Sequence, residues 1–290
     1  MSSVLADFPA RFAVEDDAID GPAEGRVVLG RDQLVLVATE EQKVTIPLTA
    51  IGDVNVGSVP RVFDPLPGTP VTVAFDRHGD YQVSLVAADE STVEKFVTVL
   101  FKALLNGIHA TIVHPAKLGG RVLDTDPRGA ILSLQANAVQ FETEEGAVSV
   151  RLDSVIDFTR ETRSLGGREG PTLVVDHMQN RDAVTTLAAI QSPRKLGLLG
   201  RFLRREYRQL MSRLDQLSLS EVETEVLTAI YSTGDQDLSL TGMLDLSGER
   251  VKRVLHALHK KGLIESGNSG PALTPMGQVV VNQYLERVNE

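Results

Sequence analysis

Hydrophobic positions along this chain follow two periods, and the periods alternate in blocks. From Val27 to Val86 the apolar residues form short β-branched or alternating runs: Val27–Leu29, Leu34–Ala38, Val44–Leu48, Val54–Val56, Val71–Phe75 and Tyr81–Val86. Turn formers separate them at Gly30-Arg31-Asp32, Glu40-Glu41 and His78-Gly79-Asp80, so the spacing predicts antiparallel strands. Pro60, Pro65, Pro67 and Pro70 mark a rigid loop outside the sheet. The period then becomes helical. Val93, Phe96, Val97, Leu100, Phe101, Leu104 and Leu105 form one stripe, which Asn106-Gly107 stops.

The same order returns downstream. Strands are predicted at Ile131–Leu134, Ala138–Phe141, Val148–Leu152, Val155–Thr159, Leu173–Val175 and Val184–Ile190. Pro193 then opens a helix striped by Leu196, Leu199, Leu203, Tyr207, Leu210 and Leu214. The repeat is explicit. Thr39-Glu40-Glu41 precedes Val44, Ile46, Leu48, Ile51 and Asp53, and Thr143-Glu144-Glu145 precedes Val148, Val150, Leu152, Val155 and Asp157. Gly25–Val54 and Gly129–Phe158 thus match at a constant offset of 104 residues, the mark of a duplicated domain. Six or seven strands closed by one C-terminal helix is the order of a pleckstrin-homology-like barrel or sandwich. Each copy is expected to close its own core, leaving twin lobes.

From Ser218 onward the pattern is helical with short loops. Ser218 and Glu221 fit a capping box ahead of Leu219, Val222, Val226, Leu227 and Ile230. Leu238–Leu246 reads as a short second helix. Ser247 caps a third, with Val251, Val254, Leu255 and Leu258 facing inward and Gly262 as its stop. Leu263–Glu265 and Ala272–Thr274, joined by a tip at Gly267–Pro271, form a two-stranded wing, and Pro275 opens a last helix through Leu285. Helix, helix, helix, hairpin, helix is a winged helix-turn-helix. The predicted class is α+β, with PH-like domains at 1–108 and 109–216 and a winged helix-turn-helix at 217–290.

Composition narrows the function. The 290 residues are 42% hydrophobic and 23% charged, a globular balance sufficient for two or three cores. Cysteine is absent, which excludes disulfides, thiolate zinc sites and a cysteine nucleophile. The start, Met1-Ser2-Ser3-Val4-Leu5-Ala6-Asp7, has no basic segment followed by an apolar one, and no window holds 18 consecutive apolar residues. No membrane insertion and a cytoplasmic location are expected. Catalytic signatures are missing as well: there is no GxxxxGK[ST], GxGxxG or GxSxG. Gly166-Gly167-Arg168-Glu169-Gly170 precedes a strand, so it reads as a surface loop. Neither His256/His259 nor His109/His114 has a third ligand at metal spacing. In the Asp124-Thr125-Asp126 turn, Arg128 stands where a calcium ligand belongs. The sequence therefore predicts no enzyme, no cofactor and no metal.

Charge is distributed unevenly within the net −10. Residues 1–193 hold 16 Lys/Arg against 27 Asp/Glu, residues 194–217 hold 7 against 2, and residues 218–290 hold 6 against 10. The basic stretch (Arg194, Lys195, Arg201, Arg204, Arg205, Arg208, Arg213) has three readings: a solvated outer face, a dock for an acidic protein, or a membrane-surface helix. The third helix of the last unit displays Arg250, Lys252, Arg253, His256, Lys260 and Lys261, a set able to touch phosphates. Its acidic surroundings argue against nucleic acid as the partner. The residues selected for partner contact are Arg201, Arg204, Arg205 and Arg208, then Arg250, Arg253 and Lys260.

The tandem copies, together with the segment Leu246-Ser247-Gly248-Glu249-Arg250-Val251-Lys252-Arg253 through Leu263-Ile264, resemble the archaeal taxis protein CheF family. That resemblance spans nearly the whole chain. It implies a non-enzymatic adaptor linking the phosphorylated response regulator CheY to the switch complex at the cytoplasmic face of the archaellum motor. Self-association as a two-fold homodimer is expected too. The alternative is a winged-helix DNA-binding transcriptional regulator.

Overall fold

The computed structural model describes residues 4–135, 138–179, 182–215, 217–233, 246–266 and 270–289. The class is mixed α+β, dominated by antiparallel sheets. The first sheet takes its strands from β1 (Ala6–Val14), β2 (Ala23–Leu29), β3 (Gln33–Val37), β4 (Lys43–Pro47), β5 (Ile51–Val56), β6 (Thr69–Arg77) and β7 (Asp80–Ala88). Their order across the sheet is β4-β3-β2-β1-β7-β6-β5. The helix α1 (Glu90–Leu105) follows. Asp89 caps it by accepting the Thr92 N–H at 3.0 Å, and hydrogen bonds from Thr92 and Ser91 hold that carboxyl down at about 2.

The second sheet repeats this arrangement with β8 (Ile108–Leu118), β10 (Arg128–Leu134), β11 (Ala138–Thr143), β12 (Gly146–Arg151), β13 (Val155–Leu165), β14 (Arg168–Gln179) and β15 (Asp182–Ile190). Its order, β12-β11-β10-β8-β15-β14-β13, matches the first strand for strand, and a short β9 (Arg121–Val122) pairs with β8. Two register shifts match as well, between Ile51 and Asp53 in one sheet and between Val155 and Asp157 in the other. A duplicated bulge is strong support for the repeat, because bulges fix the bend of a strand.

Three sequence expectations need correction. First, the patterns began at Val27 and Ile131 and passed over β1 and most of β8. Pro9 and Arg11 interrupt β1, yet Phe8 and Phe12 alternate into the core. Second, the offset is not constant. Leu34 pairs with Ile46 and Val139 with Val150, so β4 and β12 keep the spacing of 104, whereas β3 and β11 are 105 apart. The β3–β4 turn absorbs the difference: it closes at Ala38 and Gln42, while Thr143 faces Gly146 across Glu144 and Glu145. A one-residue slip moves every side chain to the other face. Accordingly Ile131 is exposed, while Leu132 and Leu134 take the inward positions of Val27 and Leu29.

Third, the lobes do not close separately. One hydrophobic core runs from Phe8 to Leu203 through both sheets. The helix α2 (Pro193–Asp215) covers β14 and β15 of its own sheet but packs most extensively on β5 of the first. Helix α1 in turn reaches β10. Phe101 of α1 meets Phe202 of α2 at 5.5 Å, and Asn106, just past α1, accepts the Leu134 N–H at 2.7 Å. Amphipathic stripes specify that a face is buried but leave its partner open.

The last unit comprises α3 (Glu221–Thr233), α4 (Gly248–Lys260), β16 (Ile264–Ser266), β17 (Pro271–Leu273) and α5 (Pro275–Asn289) around Val226, Leu227, Leu258, Leu263 and Val281. Its capping box lies two residues later than expected. The Ser220 N–H donates to Glu223 Oε2 at 2.8 Å, and Ser220 Oγ accepts the Glu223 N–H at 3.3 Å. Most of the helix expected at Leu238–Leu246, and residues 267–269 of the hairpin tip, lie outside the described residues.

Candidate docking faces

Helix α2 carries more basic residues than α1 or α4, but most of that charge is committed internally. Arg201 makes two bonds to Asp53 of β5, each 3.0 Å long. Lys195 Nζ donates to the Leu104 carbonyl at 3.0 Å, and burial lowers its pKa. Arg194 stands 3.6 Å from Asp76 and lies over the Tyr81 ring at 5.6 Å. Arg205 pairs with its neighbour Glu206 at 2.5 Å. The solvated-face reading therefore fails for these four, which fasten α2 to the first sheet, to α1 or to α2 itself. Arg204 and Arg208 point outward and take part in no ion pair among the described residues.

Beside these residues α1 and α2 enclose a cleft of about 710 Å3, with Glu90, Glu94 and Lys102 on one wall, Arg205 on the other, and Leu134 and Phe202 between them. A smaller cavity of about 240 Å3 adjoins it, lined by Arg201, Arg205, Arg208, Val56 and Phe101. Three of the four α2 residues selected from sequence thus share one concave surface. Facing carboxylates from α1 were missing from that selection, because nothing in the sequence signalled that the two helices would be neighbours.

The second set sits apart, on α4. Arg250, Arg253 and Lys260 are exposed, as are Lys252, His256 and His259, while Val251 and Leu258 anchor the opposite side. Lys261, grouped with them by sequence, is instead structural. Its Nζ donates to Glu223 Oε1 at 2.6 Å and to the Ser218 carbonyl at 2.7 Å. Burial pushes the Glu223 carboxyl up, yet Lys261 and the two Ser220 donors outweigh it and hold the group below its usual range.

Sequence reasoning missed one polar cluster altogether. His114 Nδ1 and His177 Nε2 lie 2.8 and 2.9 Å from the same hydroxyl, Thr186 Oγ1, with their rings stacked at 5.9 Å. Burial lowers both imidazoles, His177 to about 4, where neighbouring His114 adds to the effect. The two histidines are 63 positions apart in a chain without local spacing to link them, so only β-pairing brings them together. Among the described residues there is no group of three or more metal-ligating side chains, and no helix is long and apolar enough to cross a membrane.

Comparison with known proteins supplies the biological frame. The profile of a family described as archaeal chemotaxis signal transduction system protein F (CheF) matches residues 4–209. Taxis protein CheF2 of Halobacterium salinarum is 35% identical over 291 residues, covering 99% of each chain. Taxis protein CheF1 of the same organism is 28% identical over 251 residues, covering 84% of this chain and 81% of that protein. A solved multidomain protein with nucleic acid binding domains from Streptococcus pneumoniae is 12% identical over 92% of this chain and 75% of that one. Its TM-score of 0.20 is too low to bear on fold or function. The profile match and the full-length identity together show that this chain belongs to the archaeal CheF family of chemotaxis signal transduction proteins.

Proposed function

We propose that the chain is a non-enzymatic adaptor that binds the phosphorylated response regulator CheY and couples it to the archaellum switch complex. In this reading the units are PH-like modules at 1–108 and 109–216 and a winged helix-turn-helix at 217–290. They act as a homodimer in the cytoplasm at the base of the motor. The supporting observation is a pair of sheets with the same strand order fused through two shared helices, which makes a stiff frame for several docking faces. Such a frame senses phosphorylation through differential affinity alone, since the regulator itself changes conformation.

Co-purification from the native host, with the regulator phosphorylated and not, tests this role. Recovery of both regulator and switch proteins, stronger with phosphorylation, is expected; recovery of neither sinks it. Arg204→Glu combined with Arg208→Glu is expected to weaken partner binding most at low salt, where screening is least. Light scattering tests the dimer, and a monomer mass at every concentration rejects it.

The exposed basic face of α4 favours a second reading, a DNA-binding regulator. Nanomolar, sequence-dependent binding to genomic fragments by anisotropy would establish it in place of the adaptor.

A further inference from the structure

Among the described residues, α4 carries more cations outside ion pairs than any other single element. Nine arginines of the sheets and α2 are in ion pairs among the described residues. None of Arg250, Lys252, Arg253 or Lys260 is, among the described residues, although all four are exposed on one 13-residue helix. At 100° per residue these four, with His256 and His259, occupy the half of the helix opposite Val251 and Leu258. Lys260 suits its own helix, because a cation near a C-terminus favours the dipole. Arg250 does not. It sits in the first turn, where a cation is disfavoured by ~0.3–1 kcal/mol. A charge that costs its own helix stability and has no internal partner is explained by an external anion.

The helix itself is anchored at its C-terminal end. The Leu263 N–H donates to the Leu258 carbonyl and the Gly262 N–H to His259, which terminates the helix firmly, and Lys261 clamps it to α3 through Glu223. The backbone positions that carry the charges are therefore held, Arg253 and Lys260 about 10 Å apart along the axis.

We infer that the outer face of α4 is a recognition surface for an acidic helical face of a folded partner protein. This inference rests on the adaptor reading and assigns one of its contacts. Protein is favoured over nucleic acid by the carboxylates nearby. Glu249 shares the exposed arc and Glu265 is exposed on β16, in a segment, 218–290, that holds 6 Lys/Arg against 10 Asp/Glu. A duplex presents phosphates at every step and cannot avoid these groups, whereas carboxylates on a protein helix are discrete and can be spaced to miss them.

The test uses the purified full chain and two probes: a helical peptide about 15 residues long with Glu at three- and four-residue spacing, and a mixed-sequence DNA duplex at ~0.15 M salt. The peptide is expected to bind, and Arg250→Glu with Arg253→Glu to weaken it about tenfold or more. That variant should melt no lower than the parent, because a carboxylate in the first turn favours the dipole. Should it fail to fold, Arg250→Gln with Arg253→Gln is expected to give a smaller loss in the same direction. Arg204→Glu with Arg208→Glu should leave peptide binding unchanged. The inference is overturned by no peptide binding, by equal binding of parent and α4 variant, by equal loss in the α2 variant, or by tighter binding of the duplex. None of these readouts involves the regulator, so the adaptor role and this face can fail independently.

Discussion

His177 holds in the second sheet the ladder position that Phe75 holds in the first: Ile51 pairs with Phe75, and Val155, its counterpart in the repeat, pairs with His177. The exchange extends to the neighbouring strands. Val73 pairs with Ser84 where Val175 pairs with Thr186, and Val14 pairs with Ser84 where His114 reaches Thr186. An apolar pair in one copy is thus a pair of imidazoles in the other. Thr186 has a single hydroxyl proton, so one ring accepts from it while the other donates to it. The ring that accepts is satisfied only in its neutral form.

Acid is therefore expected to destabilise the second sheet. His177 falls from the usual 6.5 to about 4 on folding, so between those values the unfolded chain binds the proton and the folded one does not. Stability then rises with pH from about 4 to 6.5, by up to ~3 kcal/mol from this group. Urea unfolding at a series of pH values checks the slope. His177→Phe, which restores the residue of the first sheet, should flatten it; an unchanged slope removes His177 as the cause.

The ion pair joining α2 to β5 is expected to contribute little by itself. Arg201 and Asp53 side chains remain 36% and 40% exposed. Their coupling in a double-mutant cycle should be about 0.5–1 kcal/mol despite the two-bond geometry. Truncating Phe202, which is buried and packs its ring tilted against Phe101, should cost ~3–5 kcal/mol. A cycle energy above the Phe202 loss would reverse this ranking and make electrostatics the glue between the halves.

Gly25 and Gly129 match at the 104-residue sequence offset but should respond oppositely to alanine. A Cβ on Gly25 would run into the Val37 carbonyl across the β2–β3 ladder, while nothing lies within 4 Å of one on Gly129. Gly25→Ala is expected to cost ~1–3 kcal/mol and Gly129→Ala less than ~0.5. Thermal melts of the two variants decide, and equal losses would contradict the 105-residue register that pairs Gly25 with Ala130 instead.

Breaking the clamp inside the last unit should loosen it selectively. Glu223 and Lys261 keep only 10% and 26% of their side chains exposed. Lys261→Met strands a buried carboxylate and is expected to cost ~2–4 kcal/mol, with Glu223→Gln milder because the amide still bonds Ser220. The Glu223 carboxyl is lowered on folding, so its contribution is present above the usual carboxylate pKa and is lost as pH falls through the lowered one. Hydrogen exchange in α3 and α4 reads the effect. Uniform protection loss across the whole chain would show that the last unit does not open separately.

Sequence by itself determined the elements that local physics dictates. Period-two runs between turn formers marked ten or more strands, the helical stripes marked α1 and α2, and the Thr-Glu-Glu turns exposed the duplication. These signals are short-range, since strand alternation and helix amphipathicity depend only on neighbours within a few positions. Likewise the basic character of α4 was legible, because a surface helix shows its solvent face directly in its residue types.

Tertiary structure alone decided the partners. A stripe such as Leu196, Leu199 and Leu203 requires an apolar cover but does not name β5 over β14. Whether Arg201 meets solvent or Asp53, 148 positions away, is settled only when both sheets share the helix. The one-residue slip in the repeat was invisible for the same reason: strand facing is fixed by cross-strand pairing and by which side meets the common core. His114, His177 and Thr186 converge by that pairing too. Long-range juxtaposition carries no local pattern, because chain closure brings together residues whose sequence neighbours are unaware of one another.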